Sequence, residues 1–123
     1  VAEIAARTQG DIDIYSGNDD QIIPLLSLGG KGVISVLSNI APKYTHDMVM
    51  SFLEGDTKKA AKMQIEAIDI IKALFCETSP IPVKAALNMM GLNAGGYRAP
   101  LVEMEDENKI VLEKAMKDFG LLN

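Results

Sequence analysis

The chain holds only two stretches that can form strands, "DIDIY" at 11–15 and "GVISVL" at 32–37; everything after Pro42 reads as helix or loop. The first alternates polar and apolar residues, the period of a half-buried strand. The second is β-branched and almost continuously apolar, as expected of a strand buried on both faces. Between them "QIIPLLSLGG" reads as a short helix, with Pro24 tolerated near its first turn and Gly29 and Gly30 as its stop. Strand, helix, strand is a βαβ unit, and the crossover is long enough for parallel pairing. Two parallel strands cannot form a closed sheet, and their open edges call for further strands upstream. The opening "VAEIAARTQG" reads as the back half of a helix stopped by Gly10, so the chain is expected to be part of a longer protein. The predicted architecture is the last quarter of a barrel followed by a helical extension.

Four helices are predicted in that extension. Pro42 opens the first and Gly55 closes it. Asp56 is placed to cap a long helix running to about Phe75, with an apolar stripe at Ala61, Ile65, Ile68, Ile71 and Phe75. "SPIPVKAALNMMG" supplies the third, entered through its prolines and left at Gly91. After the breaker-rich "LNAGGYRAPL", residues 103–119 form the last, acidic at the start with Lys114 and Lys117 near the end, as the helix dipole favours.

Composition removes several functions. A length of 123 residues suits one domain, and a net charge of −5 with scattered Lys and Arg offers nucleic acid no basic stripe. No apolar run approaches the length of a membrane span. Cys76, the single cysteine, excludes an internal disulfide and fits a reducing cytosol. A cytoplasmic protein is expected.

The polar turn at 16–20 lies at the carboxyl end of the first strand, the end where parallel α/β folds bind ligands. Gly17 is either a turn glycine needing positive φ or a position where a side chain would obstruct a ligand. Ser16, Asn18 and Asp19 either border a pocket or, more simply, cap the following helix. Asp19 and Asp20 point apart as neighbours and make a poor acid/base pair. "GGKG" at 29–32 precedes a strand rather than a helix and so lacks the geometry of a phosphate cradle. His46 has no second ligand at metal spacing and is expected on a helix surface. Cys76 is expected to be packed rather than reactive. The seven methionines, at 48, 50, 63, 89, 90, 104 and 116, read as core filler.

"YSGNDD", "LGGKGVISVLSN", "SPIPVKAALNMMGL" and "YRAPL" together resemble the C-terminal part of the dihydrodipicolinate synthase family, over essentially the whole chain. These are pyruvate-dependent Schiff-base lyases, related to N-acetylneuraminate lyase; "IPVK" and "SGNDD" favour the synthases. The resemblance implies an α/β fold, the C-terminal portion of a (β/α)8 TIM barrel followed by an α-helical domain. Residues 1–54 would hold the last two strands, near 12–15 and 33–37, and residues 55–123 the helical domain.

It further implies a lyase of lysine and diaminopimelate biosynthesis. Such an enzyme condenses pyruvate with aspartate 4-semialdehyde through a lysine imine, without a cofactor or metal, usually as a homotetramer. The lysine and the proton-relaying tyrosine would lie upstream of Val1, so no catalytic residue is expected in this chain. Two substrate-binding residues carry over: Gly17, lining the pocket, and Ile34, whose main-chain carbonyl would face bound pyruvate. Barrel filling is the plainer reading for the Ile34 side chain. Leu25, Leu26 and Leu28 are expected partly in a subunit contact. Two other readings remain: a different pyruvate-dependent aldolase such as N-acetylneuraminate lyase, or a non-catalytic helical assembly module.

Overall fold

A computed structural model describes all 123 residues. Helix α1 (Ala2–Thr8) ends on Gln9 and Gly10, both at positive φ, and leads into β1 (Tyr15–Ser16). A 3-10 turn (Asp19–Gln21) and α2 (Ile22–Ser27) cross to β2 (Gly32–Val33), which pairs with β1 in parallel, Tyr15 opposite Gly32 and Ser16 opposite Val33. A second 3-10 turn (Leu37–Asn39) precedes five helices: α3 (Pro42–Leu53), α4 (Thr57–Glu66), α5 (Ile68–Leu74), α6 (Ile81–Met89) and α7 (Asp106–Asp118). The βαβ unit and the helical run after Pro42 are as the sequence predicts. The strands are shorter than expected, because pairing ends where side chains take over the backbone donors beyond Ser16 and Val33. No helix is long and apolar enough to cross a membrane.

Crossing from β1 to β2 needs a close approach at Gly30. A Cβ there would sit 1.9 Å from a Leu25 methyl and 2.9 Å from the Leu25 carbonyl, so only glycine lets the end of α2 fold back onto the strand. In "GGKG", Gly30 is thus explained by packing and Gly29 by its positive φ of 89°.

Two expectations about the apolar surface are corrected. Asp56 does cap α4, accepting the Lys59 N–H, but the helix breaks at Ala67 instead of running on to Phe75. The buried line is Ala60, Gln64, Ala67, Ile71 and Leu74; Ile65 is 71% exposed and Phe75 lies on the surface. Both alignments recur every three or four residues, and the one carrying a glutamine is the one that packs, because that glutamine finds partners. Likewise Leu25 and Leu26 are buried within the chain, Leu26 in a small cluster with Ile22 and Met48, which leaves only Leu28, at 48% exposure, free for a neighbour.

The larger core joins Leu37, Ile40 and Ala41 to Ala67, Ile70, Leu74, Ile81, Ala86, Met104, Leu112 and Met116. The strand-end turn and the last helix therefore share one core. Met48, Met104 and Met116 are buried, as expected of filler, whereas Met50, Met63, Met89 and Met90 are only partly buried. Tyr44 packs edge-on against Phe119, ring centroids 4.8 Å apart, and donates its hydroxyl proton to the Met63 carbonyl at 2.7 Å. Glu77 accepts from the Glu105 N–H and from the Asn108 amide, which holds the start of α7 to the end of α5.

Gln64 makes the polar joint between the two halves. Its amide donates to the Asp19 carbonyl at 2.9 Å, and its oxygen accepts the Ile23 N–H at 3.1 Å. Gln64→Leu keeps the volume and strands both backbone groups, so it should cost roughly 1–3 kcal/mol in urea unfolding. Glu66→Ala, which removes only an exposed ion pair with Lys62, should stay within about 0.5 kcal/mol. Equal midpoints for the two variants would show that Gln64 is not a joint.

Candidate functional site

The parallel ladder delivers its last backbone bond from the Ile34 N–H to the Ser16 carbonyl, at 2.8 Å. Beyond it, side chains replace the ladder. The buried Ser16 hydroxyl donates to the Asn18 carbonyl at 2.8 Å and accepts the Asn18 N–H at 3.2 Å, closing a tight turn around Gly17. Asp19, 1% exposed, turns inward, and its Oδ2 accepts the N–H groups of Val36 and Leu37, each at 2.9 Å. Its Oδ1 is buried without a partner. The carboxylate thus satisfies donors at the start of the 3-10 turn after β2.

This corrects the capping expectation. No side chain caps the first 3-10 turn or α2. Asp19 caps a different segment, and Ser16 closes the turn that contains it. Asp20 stays exposed while Asp19 is buried, so the two carboxylates work in different environments. No group of three or more His, Cys, Asp or Glu could hold a metal ion.

Gly17 is exposed at the strand end, outside the left-handed region, and a Cβ there would meet nothing within 4 Å. Turn geometry therefore does not require glycine. Ile34, across the ladder, is 76% exposed rather than buried on both faces, and no hydrogen bond within the chain reaches its carbonyl oxygen. The two residues singled out in the sequence thus flank the same strand ends: one lacks a side chain, the other has a free main-chain acceptor.

A groove of about 240 Å³, lined by Asn18, Asp19 and Asp20 on one side and by Ile68, Ile71 and Lys72 of α5 with Phe75 just after it on the other, includes neither Gly17 nor Ile34 in its lining. Sequence reasoning missed the α5 wall, since the stripe through Ile68 and Phe75 reads as core. It also missed that Ser16 and Asp19 shape the rim through backbone bonds.

The remaining candidates carry no chemistry here. His46 is exposed beside Asp47, on the surface of α3. Cys76 is exposed rather than packed, and partial burial and the Glu77 carboxylate push its thiol pKa up, opposite to what a reactive thiolate needs. Burial also pushes the Tyr44 phenol up; bonded to Met63, it is a packing group. Of the ten lysines, Lys31 lies at the amino end of β2 and the other nine in helices, so none stands at the carboxyl end of a strand.

Comparison with known proteins gives one answer. The model of the dihydrodipicolinate synthetase family matches residues 1–119. The 4-hydroxy-tetrahydrodipicolinate synthase of Lachnoclostridium phytofermentans is 57% identical over 122 residues, covering 99% of this chain and 42% of that protein. The synthase of Caldicellulosiruptor saccharolyticus is 58% identical over 121 residues, covering 98% of this chain and 41% of that one. The chain spans about two fifths of the length of these relatives. Among solved structures, the dihydrodipicolinate synthase of Thermotoga maritima superposes with a TM-score of 0.91 at 40% identity, over 98% of this chain and 41% of that one. The Aquifex aeolicus enzyme gives 0.92 at 38% identity, over 98% and 41%. The fold is the carboxyl-terminal portion of a (β/α)8 barrel, its last two strands followed by an α-helical domain, and the chain belongs to the dihydrodipicolinate synthetase family.

Proposed function

We propose that this chain is the rim-bearing part of a 4-hydroxy-tetrahydrodipicolinate synthase, a lyase that condenses pyruvate with aspartate 4-semialdehyde through a lysine imine. Residues 1–54 belong to the barrel and residues 55–123 to the helical domain. The observation that carries this reading is the unpaired Ile34 carbonyl near Gly17 at the carboxyl ends of two parallel strands, in a chain whose relatives bear that enzyme's name. Those names favour the synthase over a neuraminate lyase. A reducing cytoplasm suits the lone free thiol, and Leu28, exposed at the end of α2, is available to a homotetramer contact.

Chemically, the chain contributes shape and a dipole. Imine formation between a lysine amine and the keto group of pyruvate places positive charge on nitrogen. A carbonyl oxygen with no donor of its own offers that charge both of its lone pairs. Gly17 leaves the volume beside it empty. The amine itself has to come from outside these residues.

Three outcomes test the proposal. The intact protein should form the condensation product from pyruvate and aspartate 4-semialdehyde, whereas the isolated 123 residues should give no borohydride-trapped pyruvate adduct. An adduct mapped to any of its ten lysines would contradict the reading. Gly17→Val in the intact protein should abolish most turnover while moving the melting temperature by only a few degrees, since its backbone is unstrained and its Cβ direction open. A large drop in melting temperature with normal turnover would sink the pocket role. Leu28→Asp should loosen the oligomer in sedimentation without unfolding the chain, because Leu28 lies outside both core clusters; an unchanged profile would remove it from the interface.

A further inference from the structure

The Ile34 carbonyl is free because something withholds its donor. Continuing the parallel ladder one step past the Ile34–Ser16 bond would send the Asn18 N–H to the Ile34 carbonyl and the Val36 N–H to the Asn18 carbonyl. Neither bond is made. The Asn18 N–H goes to the Ser16 hydroxyl at 3.2 Å, and the Val36 N–H goes to Asp19 Oδ2 at 2.9 Å. The Asn18 carbonyl is satisfied by the Ser16 hydroxyl at 2.8 Å and the Gln21 N–H at 3.2 Å. Every donor and acceptor of the missing step has thus been given a substitute except one, the Ile34 oxygen. That one acceptor belongs to a residue 76% exposed, so it is open to a donor from outside the chain.

We propose that Ser16 and Asp19 are positioning residues that stop the β1–β2 ladder short and hold the Ile34 carbonyl open for the substrate. Ser16 acts on the β1 side, by occupying the Asn18 N–H. Asp19 acts on the β2 side, by drawing Val36 and Leu37 into a 3-10 turn that leads the chain away from β1. The Asp19 backbone is in turn held by Gln64, which brings the helical domain into the arrangement. The proposal rests on the lyase reading for what the carbonyl does, but not for how it is kept free.

Ser16→Ala in the intact protein separates the two. Without the hydroxyl, the Asn18 N–H is released one step from the Ile34 oxygen. The crystal structure of the variant should show that bond, at about 2.9–3.2 Å. The kcat/KM for pyruvate should fall roughly five- to tenfold, the worth of one hydrogen bond. Ser16→Thr, which keeps the hydroxyl, should restore both. If Ser16→Ala fails to fold, Ser16→Cys, with its weakly accepting sulfur, is read in the same way. A carbonyl still unpaired in the variant overturns the proposal, and so does a paired carbonyl with unchanged kcat/KM or a loss of activity that Thr does not restore. Should the wild-type protein form no imine with pyruvate, the lyase reading fails, while the crystal structures still decide whether Ser16 holds the carbonyl open.

Discussion

The arrangement of the chain depends on one buried carboxylate. Asp19 is set inward directly after the first strand, and through its Oδ2 it collects two consecutive backbone donors that follow the second. The two strand ends are locked at a fixed separation by a charge-assisted pair of bonds, stronger than the neutral ladder bonds they replace. Burying a carboxylate is costly unless it is bonded, and here two N–H groups at the start of a helical turn offset the cost. The same residue's carbonyl is the acceptor for Gln64. Rim, second strand and helical domain therefore meet at one residue, and the shared core from Leu37 to Met116 seals the joint with apolar contacts.

Much of this was legible in the sequence. The period-2 run before Tyr15, the β-branched run after Gly32, and the glycine stops each reflect local physics that does not depend on distant partners. What escaped was long-range. Capping statistics assign an Asp at the start of a helix to that helix, but Asp19 bonds to groups 17 and 18 residues on, which no local rule anticipates. The stripe expected through Ala61, Ile65 and Phe75 leaves Gln64 off the core face. Gln64 sits on the core face instead because two backbone groups, 41 and 45 residues earlier in the chain, await it. The break at Ala67 has no glycine or proline to announce it.

The site itself was legible only in part. Gly17 and Ile34 were identified through likeness to a family, and the geometry adds the physical content. Gly17 is not needed for φ, and the Ile34 carbonyl is not needed for the fold. Neither feature serves the fold of the chain by itself. The exposed Ile34 side chain has the same meaning for the fold: parallel strands are covered on both faces, so the cover lies outside these residues.

The most direct measurement is a crystal structure of the intact protein with pyruvate trapped as its imine. The account predicts the adduct within about 4 Å of both the Gly17 backbone and the Ile34 carbonyl oxygen, with the Asn18 N–H still on Ser16. An adduct bound elsewhere, or one beside an Ile34 carbonyl already paired to Asn18, would contradict it.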